Sequence, residues 1–140
     1  MKLIIATPTA VMLERSDVQS VRAEDESGSF GILEGHTDFL TVLAISVLRW
    51  RDGGGKEHYC ALRGGVFTVA SGTEVTVATR EAIVSEDIDH LEEVVLVRFR
   101  EAAQAEGDAR LAGAKMHMAA IRRIVQYLRP SRAPKLGVSS

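Results

Sequence analysis

Gly28 to Leu43, GSFGILEGHTDFLTVL, is the stretch that decides the fold. Two short alternating apolar runs, Phe30 to Ile32 and Phe39 to Val42, flank a polar elbow, Glu34-Gly35-His36-Thr37-Asp38. Glycine stands inside the first run at Gly31 and at the tip of the elbow at Gly35, where a sheet bends or another backbone comes close. On local physics this is a connection between two strands, and a period of two here sets the expectation for the residues around it.

Outward in both directions the same pattern repeats. Lys2 to Ala6 is an apolar run ended by Thr7-Pro8, Ala10 to Glu14 follows, and Val18 to Ala23 alternates up to the turn composition Asp25-Glu26-Ser27-Gly28. Ser46 to Arg51 alternates with Ser46, Leu48 and Trp50 expected outward, and Asp52-Gly53-Gly54-Gly55 makes a hairpin back into Lys56 to Leu62. Gly65 to Ala70 and Glu74 to Thr79 complete the set, turned by Ser71-Gly72-Thr73. About nine or ten short strands without a helical period between them predict an antiparallel β-sandwich. At Ser85 to Asp89 the period changes. Ser85 or Asp87 can cap a helix on which Leu91, Val95, Phe99 and Ala102 share a face. Ala105-Glu106-Gly107-Asp108 reads as a break, after which Leu111, Ala114, Met118, Ile121, Val125 and Leu128 step by three and four until Pro130. The chain is therefore expected to be mainly β plus α: a sandwich over 1–86, an antiparallel two-helix hairpin over 87–130, and a frayed tail over 131–140.

Length and composition bound what such a chain can do. Its 140 residues suffice for one core and an appendage, and its 46% hydrophobic and 26% charged residues are those of a globular protein. No run approaches a membrane span, and Met1 to Ile5 is too brief for a signal peptide, so a cytoplasmic protein is expected. The single cysteine, Cys60, excludes an internal disulfide and sits in an alternating run, where packing is its expected role. The net charge of −2 conceals an asymmetry. Residues 1–108 hold 10 basic and 19 acidic groups, whereas Arg110, Lys115, Arg122, Arg123, Arg129, Arg132 and Lys135 follow with no acidic group among them. Such a cationic end suits nucleic acid, anionic lipid or an acidic protein surface.

No catalytic constellation accompanies this architecture. His36, His58, His90 and His117 include no pair at metal-ligand spacing, and His58 with Cys60 supplies only two ligands on one strand face. The chain has no G-x-S-x-G elbow, phosphate-binding loop or H-E-x-x-H, and Gly64-Gly65 and Gly53 to Gly55 lack a strand-to-helix setting. A non-enzyme without metal or cofactor is expected.

The order G-x-x-G-I-L-x-G-H-x-x-x-L-T over Gly28 to Thr41 resembles the corresponding segment of the epsilon subunits of rotary F-type ATP synthases, with Glu34 where that family commonly has proline. Ala61 to Val69, containing Gly64-Gly65-Val66, resembles the family's next strand pair, and Glu74 to Thr79 followed by Ile88-Asp89 resembles its junction with the helices. The resemblance implies a non-catalytic part of the central stalk. Partners would be the gamma subunit, the c-ring and the alpha/beta head, with the membrane reached only through the complex at the cytoplasmic face of the bacterial inner membrane. It implies polar contacts to the c-ring and gamma from Ser29, Glu34, His36 and Asp38, with Phe30 and Ile32 supporting the loop and Thr41 near gamma. It also implies that the basic residues Arg122, Arg123 and Arg129 restrain ATP hydrolysis through the head. Some family members bind ATP at Ile-Asp-x-x-Arg-Ala. Here Ile88-Asp89 is followed by Glu92 and Glu93, which reverse the charge a phosphate needs, so little ATP binding is expected. The departures at Glu34, Glu92 and Glu93 point to a divergent branch of F-type enzymes. The competing reading is a free-standing module whose basic hairpin grips RNA or anionic lipid, and the scarcity of aromatic residues weakens its RNA version.

Overall fold

A computed structural model describes residues 1–128. Eight strands come first: β1 (Lys2–Thr7), β2 (Ala10–Arg15), β3 (Ser20–Asp25), β4 (Gly28–Leu33), β5 (Phe39–Arg51), β6 (Glu57–Ala70), β7 (Glu74–Ala78) and β8 (Ala82–Ser85). They pair in the order β2-β1-β7-β6-β5-β3-β4, with β8 added to β6. The 13-residue β5 and 14-residue β6 organise this arrangement. They pair along their whole length through the Asp52 to Gly55 hairpin, and β6 then bonds β8 with Tyr59 to Leu62 and β7 with Val66 to Ala70. One pair of long strands thus serves both layers of a β-sandwich.

The bend that makes this possible lies at Gly64 and Gly65, where φ is +69° and +129°. A Cβ on Gly65 would fall inside the carbonyl of Ala78 on the neighbouring strand, so only glycine permits β6 and β7 to approach there. Opposite, the β5 register skips from Leu43 to Ile45. Two strands were therefore expected on each side of a corner where one continuous strand turns it. Merging Phe39 to Val42 with Ser46 to Arg51, and Lys56 to Leu62 with Gly65 to Ala70, brings the expected count below the observed eight, and β8, absent from the sequence reading, restores one. The sandwich is also not wholly antiparallel: β1 pairs β7 in parallel, Leu3 against Val75 and Ile5 against Val77.

The core between the layers is formed by Leu3, Ile5, Val21, Ile32, Leu48, Trp50, Leu62, Phe67, Val75 and Val77, among others. Leu48 and Trp50 are buried at 0% and 2% exposure, so the face expected to point outward points in. The opposite face of the same strands is apolar as well. Ile45, Val47, Tyr59 and Ala61 form a second cluster with Leu91, Val95, Leu96 and Phe99 of the helical segment. Asp87 caps this segment by accepting from the His90 N–H at 3.2 Å. Its first turns are α1 (Ile88–His90) and a π-helical turn over Leu91–Val95, followed by α2 (Leu96–Leu128). Leu91, Val95, Leu96 and Phe99 are all buried against the sheet.

By internal contacts the chain forms two units, Met1–Glu101 and the residues from Ala102 onward. In the second, the break expected at Ala105 to Asp108 is continuous helix. Asp108 does not cap a new helix; its carboxylate accepts from Gln104 Nε2 at 3.1 Å, an i,i+4 bond that carries the helix across Gly107. Glycine costs about 1 kcal/mol in a helix interior, which one such bond and the surrounding strong helix formers offset. The described residues therefore show one long helix rather than a hairpin. Arg129 and the expected tail over 131–140 lie outside them.

Candidate functional site

The elbow Glu34 to Asp38 is pinned to the turn between β6 and β7. The Gly35 N–H donates to the Gly72 carbonyl at 2.7 Å, and Asp38 Oδ1 accepts from the Ser71 N–H at 2.8 Å. Gly72 has φ +67°, and a Cβ there would press into the Gly35 backbone, so these two glycines let the loops touch. Glu34 Oε1 lies 3.4 Å from the Met1 ammonium, which also donates to the Val18 carbonyl at 2.9 Å. His36 Nδ1 stands 2.7 Å from the Thr37 carbonyl oxygen, with its ring edge-on to Phe39 at 5.9 Å. Behind the loop Phe39 meets Phe30, and Phe30 meets Phe67, at 5.6 and 5.2 Å in edge-to-face geometry. Three aromatic rings thus brace the loop from the core.

The structure divides the sequence-derived residues into two groups. Glu34, His36 and Asp38 gather at this elbow. Ser29 lies near the opposite end of β4, five residues or roughly 16 Å along an extended chain. There Asp25 accepts from Ser27 and, at 2.7 Å, from the Thr41 hydroxyl; these bonds hold its carboxyl below the usual carboxylate range. Ile32 is 2% exposed, so it can act only as support. Asp25, Ser27 and Thr41 line an open groove of about 630 Å³ together with Val42 and Leu43.

Between these polar groups lies a surface the sequence reading did not find. Strand register aligns Val42, Val66, Ala78, Ala6 and Val11 in one row across β5, β6, β7, β1 and β2. Their side chains share the outer face, since Phe67, Val77, Ile5 and Leu43 between them point inward. Val42, Val66 and Val11 are 65%, 40% and 61% exposed, and Leu40 beside the row is 66% exposed. Alternation alone hides this feature, because the row exists only after five strands are placed in register.

A second group the sequence did not single out surrounds the other hairpin. His58 Nε2 lies 2.8 Å from Asp52 Oδ2, and the His58 ring stacks on Trp50 at 5.4 Å. Asp52 also accepts from the Gly54 and Lys56 N–H groups, and its carboxyl is lowered chiefly by the His58 bond. Trp50 and His58 are cross-strand partners, so the signal was the hairpin register set by Asp52 to Gly55. Cys60 is fully buried, and burial pushes its thiol up to about 12. Among the described residues no three His, Cys, Asp or Glu side chains sit where they could hold a metal ion.

Residues 1–85 match the family model described as ATP synthase, Delta/Epsilon chain, beta-sandwich domain. The chain belongs to this family. It is 44% identical over 137 residues to the ATP synthase epsilon chain 2 of Cereibacter sphaeroides, covering 98% of this chain and 92% of that one. It is 39% identical over 132 residues to the ATP synthase epsilon chain 2 of Paraburkholderia xenovorans, covering 94% and 95%. A chain in the Euglena gracilis mitochondrial ATP synthase, from a structure of its OSCP, F1 and c-ring, superposes with TM-score 0.58 at 27% identity; the match covers 78% of this chain but only 62% of that one. By family this is a non-catalytic epsilon chain of the ATP synthase central stalk, and the free-standing RNA or lipid module is not favoured. No helix among the described residues is long and apolar enough to cross a membrane.

Proposed function

We propose that this epsilon chain couples the F1 head to the c-ring of a rotary ATP synthase by holding the gamma subunit with the outer face of its β2-β1-β7-β6-β5 layer. The observation that carries the reading is the row Val42, Val66, Ala78, Ala6 and Val11, an apolar band across five strands on a chain of this family. An exposed band of this kind on a stable sheet suits a lasting protein partner. Leu40 borders it on the same face, whereas Thr41 opposes Phe67 on the inner side and bonds Asp25, so it comes near gamma only as the neighbour of Leu40 and Val42 in β5. Ser29, Glu34, His36 and Asp38 then supply polar contacts at the rim, toward gamma and the polar loops of the c-ring, and Phe30 and Ile32 support them from within. In a bacterium the assembly places the chain at the cytoplasmic face of the inner membrane through its partners alone.

The helical region supplies restraint of ATP hydrolysis. Arg122 and Arg123 are exposed on a helix whose sequence carries no acid after Asp108, which fits an acidic surface of the catalytic head. A hairpin form belongs to the same proposal. Gly107 is the weakest helix former of the stretch, so Ala105 to Asp108 is where the helix gives way when a partner favours the folded form. The relatives carry the designation chain 2, which supports a divergent branch. The test is co-purification of gamma and c subunits with the tagged full-length chain. The protein recovers both, whereas Val42→Glu with Val66→Glu loses gamma while keeping its β-rich circular dichroism. Retention of gamma by that variant overturns the assignment of the face.

A further inference from the structure

The outer face of the second layer carries two arginines in direct opposition, with no carboxylate in ion-pair contact with either among the described residues. Arg22 on β3 stands directly opposite Arg49 on β5, and Arg51, two residues on, shares their face opposite Ser20. Like charges placed directly opposite across a strand pair destabilise a sheet. Glu57 stands directly opposite Arg51 on β6 and offsets its charge, and Glu24 shares the face two residues from Arg22, but among the described residues no carboxylate comes within 4.0 Å of Arg22 or Arg49. Arg49 only leans over the Tyr59 ring at 5.8 Å, and Arg22 and Arg51 are exposed. Among the described residues the Arg22–Arg49 opposition is relieved by no ion pair.

The next strand explains where compensation can enter. β4 ends the sheet order, so its far edge has no neighbouring strand among the described residues. Gly31, the cross-strand partner of Arg22, carries no side chain; a Cβ there would meet the Arg22 guanidinium at 3.5 Å. Arg22 therefore lies over β4 with only backbone beneath it, and a group approaching from the free edge reaches it without obstruction. A groove of about 410 Å³ follows, lined by Ser20, Arg22, Gly31, Leu33 and Arg51. Leu33 beside it is 66% exposed. The site is linear, with an apolar step at Leu33, a gap at Gly31 and cations behind the gap.

We propose that the β4 edge receives an extended acidic segment of another polypeptide, which places a carboxylate over Gly31 against Arg22, relieving its opposition to Arg49, and an apolar side chain against Leu33. Edge strands accept such segments through main-chain hydrogen bonds, with alternate side chains giving specificity. Residues 109–140 carry no Asp or Glu, so they do not supply the acidic side chain of this segment. This interface is separate from the apolar row assigned to gamma, and its partner is expected in the same assembly.

The experiment installs the photocrosslinker p-benzoylphenylalanine at Leu33 of the full-length chain in cells, followed by mass spectrometry of the crosslinked product. The expected product is a peptide with at least one Asp or Glu near the crosslink. Its yield falls about tenfold with Arg22→Gln plus Arg49→Gln, as attraction across the interface is lost. Gly31→Asp supplies an internal carboxylate to Arg22 and also lowers the yield, while the thermal midpoint of the full chain holds or rises. That combination separates loss of the partner from loss of the fold. A crosslink to lipid, nucleic acid or a peptide without carboxylates overturns the proposal, as does no product or a yield unchanged by the substitutions. Recovery of gamma with the unsubstituted chain is scored in parallel, so failure at this edge and failure of the stalk assignment give different results.

Discussion

Two stretches of this chain carry the same apolar spacing and have opposite surroundings. Leu91, Val95, Leu96 and Phe99 are buried against Ile45, Val47, Tyr59 and Ala61. Leu111, Met118, Ile121, Val125 and Leu128 recur at the same helical period, yet they are 55%, 52%, 43%, 42% and 67% exposed. Periodicity thus reports that a helix has an apolar face and not that the face is covered. The first stretch serves the stability of the sandwich unit, and the second is apolar surface left exposed among the described residues.

The contrast is broken most severely by removing the covered stretch. A fragment ending at Ile88 is expected to remain soluble and β-rich, because the inter-layer core closes without the helix. It should be less stable than a fragment ending at Glu101, in which Leu91, Val95, Leu96 and Phe99 are buried against the sheet. Paired urea titrations measure the gap, and equal midpoints would show that this contact contributes nothing. A single substitution sharpens the same point: Phe99→Ala should cost about 3 kcal/mol, near the lower limit for a buried aromatic, because the helix can undock rather than bear more. Ile121→Ala should change stability by about 0.5 kcal/mol or less.

Function should invert that ranking. Truncation after Glu101, or Arg122→Glu with Arg123→Glu, should raise ATP hydrolysis by the purified synthase several-fold, on the order of 1 kcal/mol in activation terms. Phe99→Ala, which weakens the other stretch, should not reproduce the charge reversal's sensitivity to salt. Unchanged hydrolysis at low ionic strength, where charge pairing is least screened, would remove the regulatory role.

The smallest effect concerns the Asp52 carboxyl, lowered mainly by its bond to His58. A depressed carboxylate stabilises the fold above its unfolded pKa, and that contribution is lost as pH falls through the folded value. Asp52→Asn should therefore lower the midpoint at neutral pH, with the difference from the parent protein shrinking below about pH 4. A difference independent of pH would assign the effect to turn geometry.

Much of the fold was legible because turns and caps are local. Asp52 to Gly55, Ser71-Gly72-Thr73 and the Asp87 cap follow from backbone preferences within a few residues, and each stands where the sequence placed it. The candidate site was less legible. Glu34, His36 and Asp38 come together because they are neighbours in the chain, whereas Ser29 and Thr41 belong with Asp25 at the other end of β4. Asp52 with His58, the Val42 to Val11 row and the Arg22 to Arg49 pair all cross strands, so no window of sequence contains them.

By itself the sequence determined a β-rich region followed by helix, the change of period at Ser85, and family membership through the Gly28 to Thr41 order. Tertiary structure alone decided the parallel β1–β7 pairing, the continuity of β5 and β6 through their bend, and the phase of each strand. The phase could not be read from β5 because both of its faces are apolar: Leu48 and Trp50 fill the sandwich, and Ile45 and Val47 receive the helix. A period of two separates two faces of a strand without saying what covers either one, and cover is a property of the chain's distant parts.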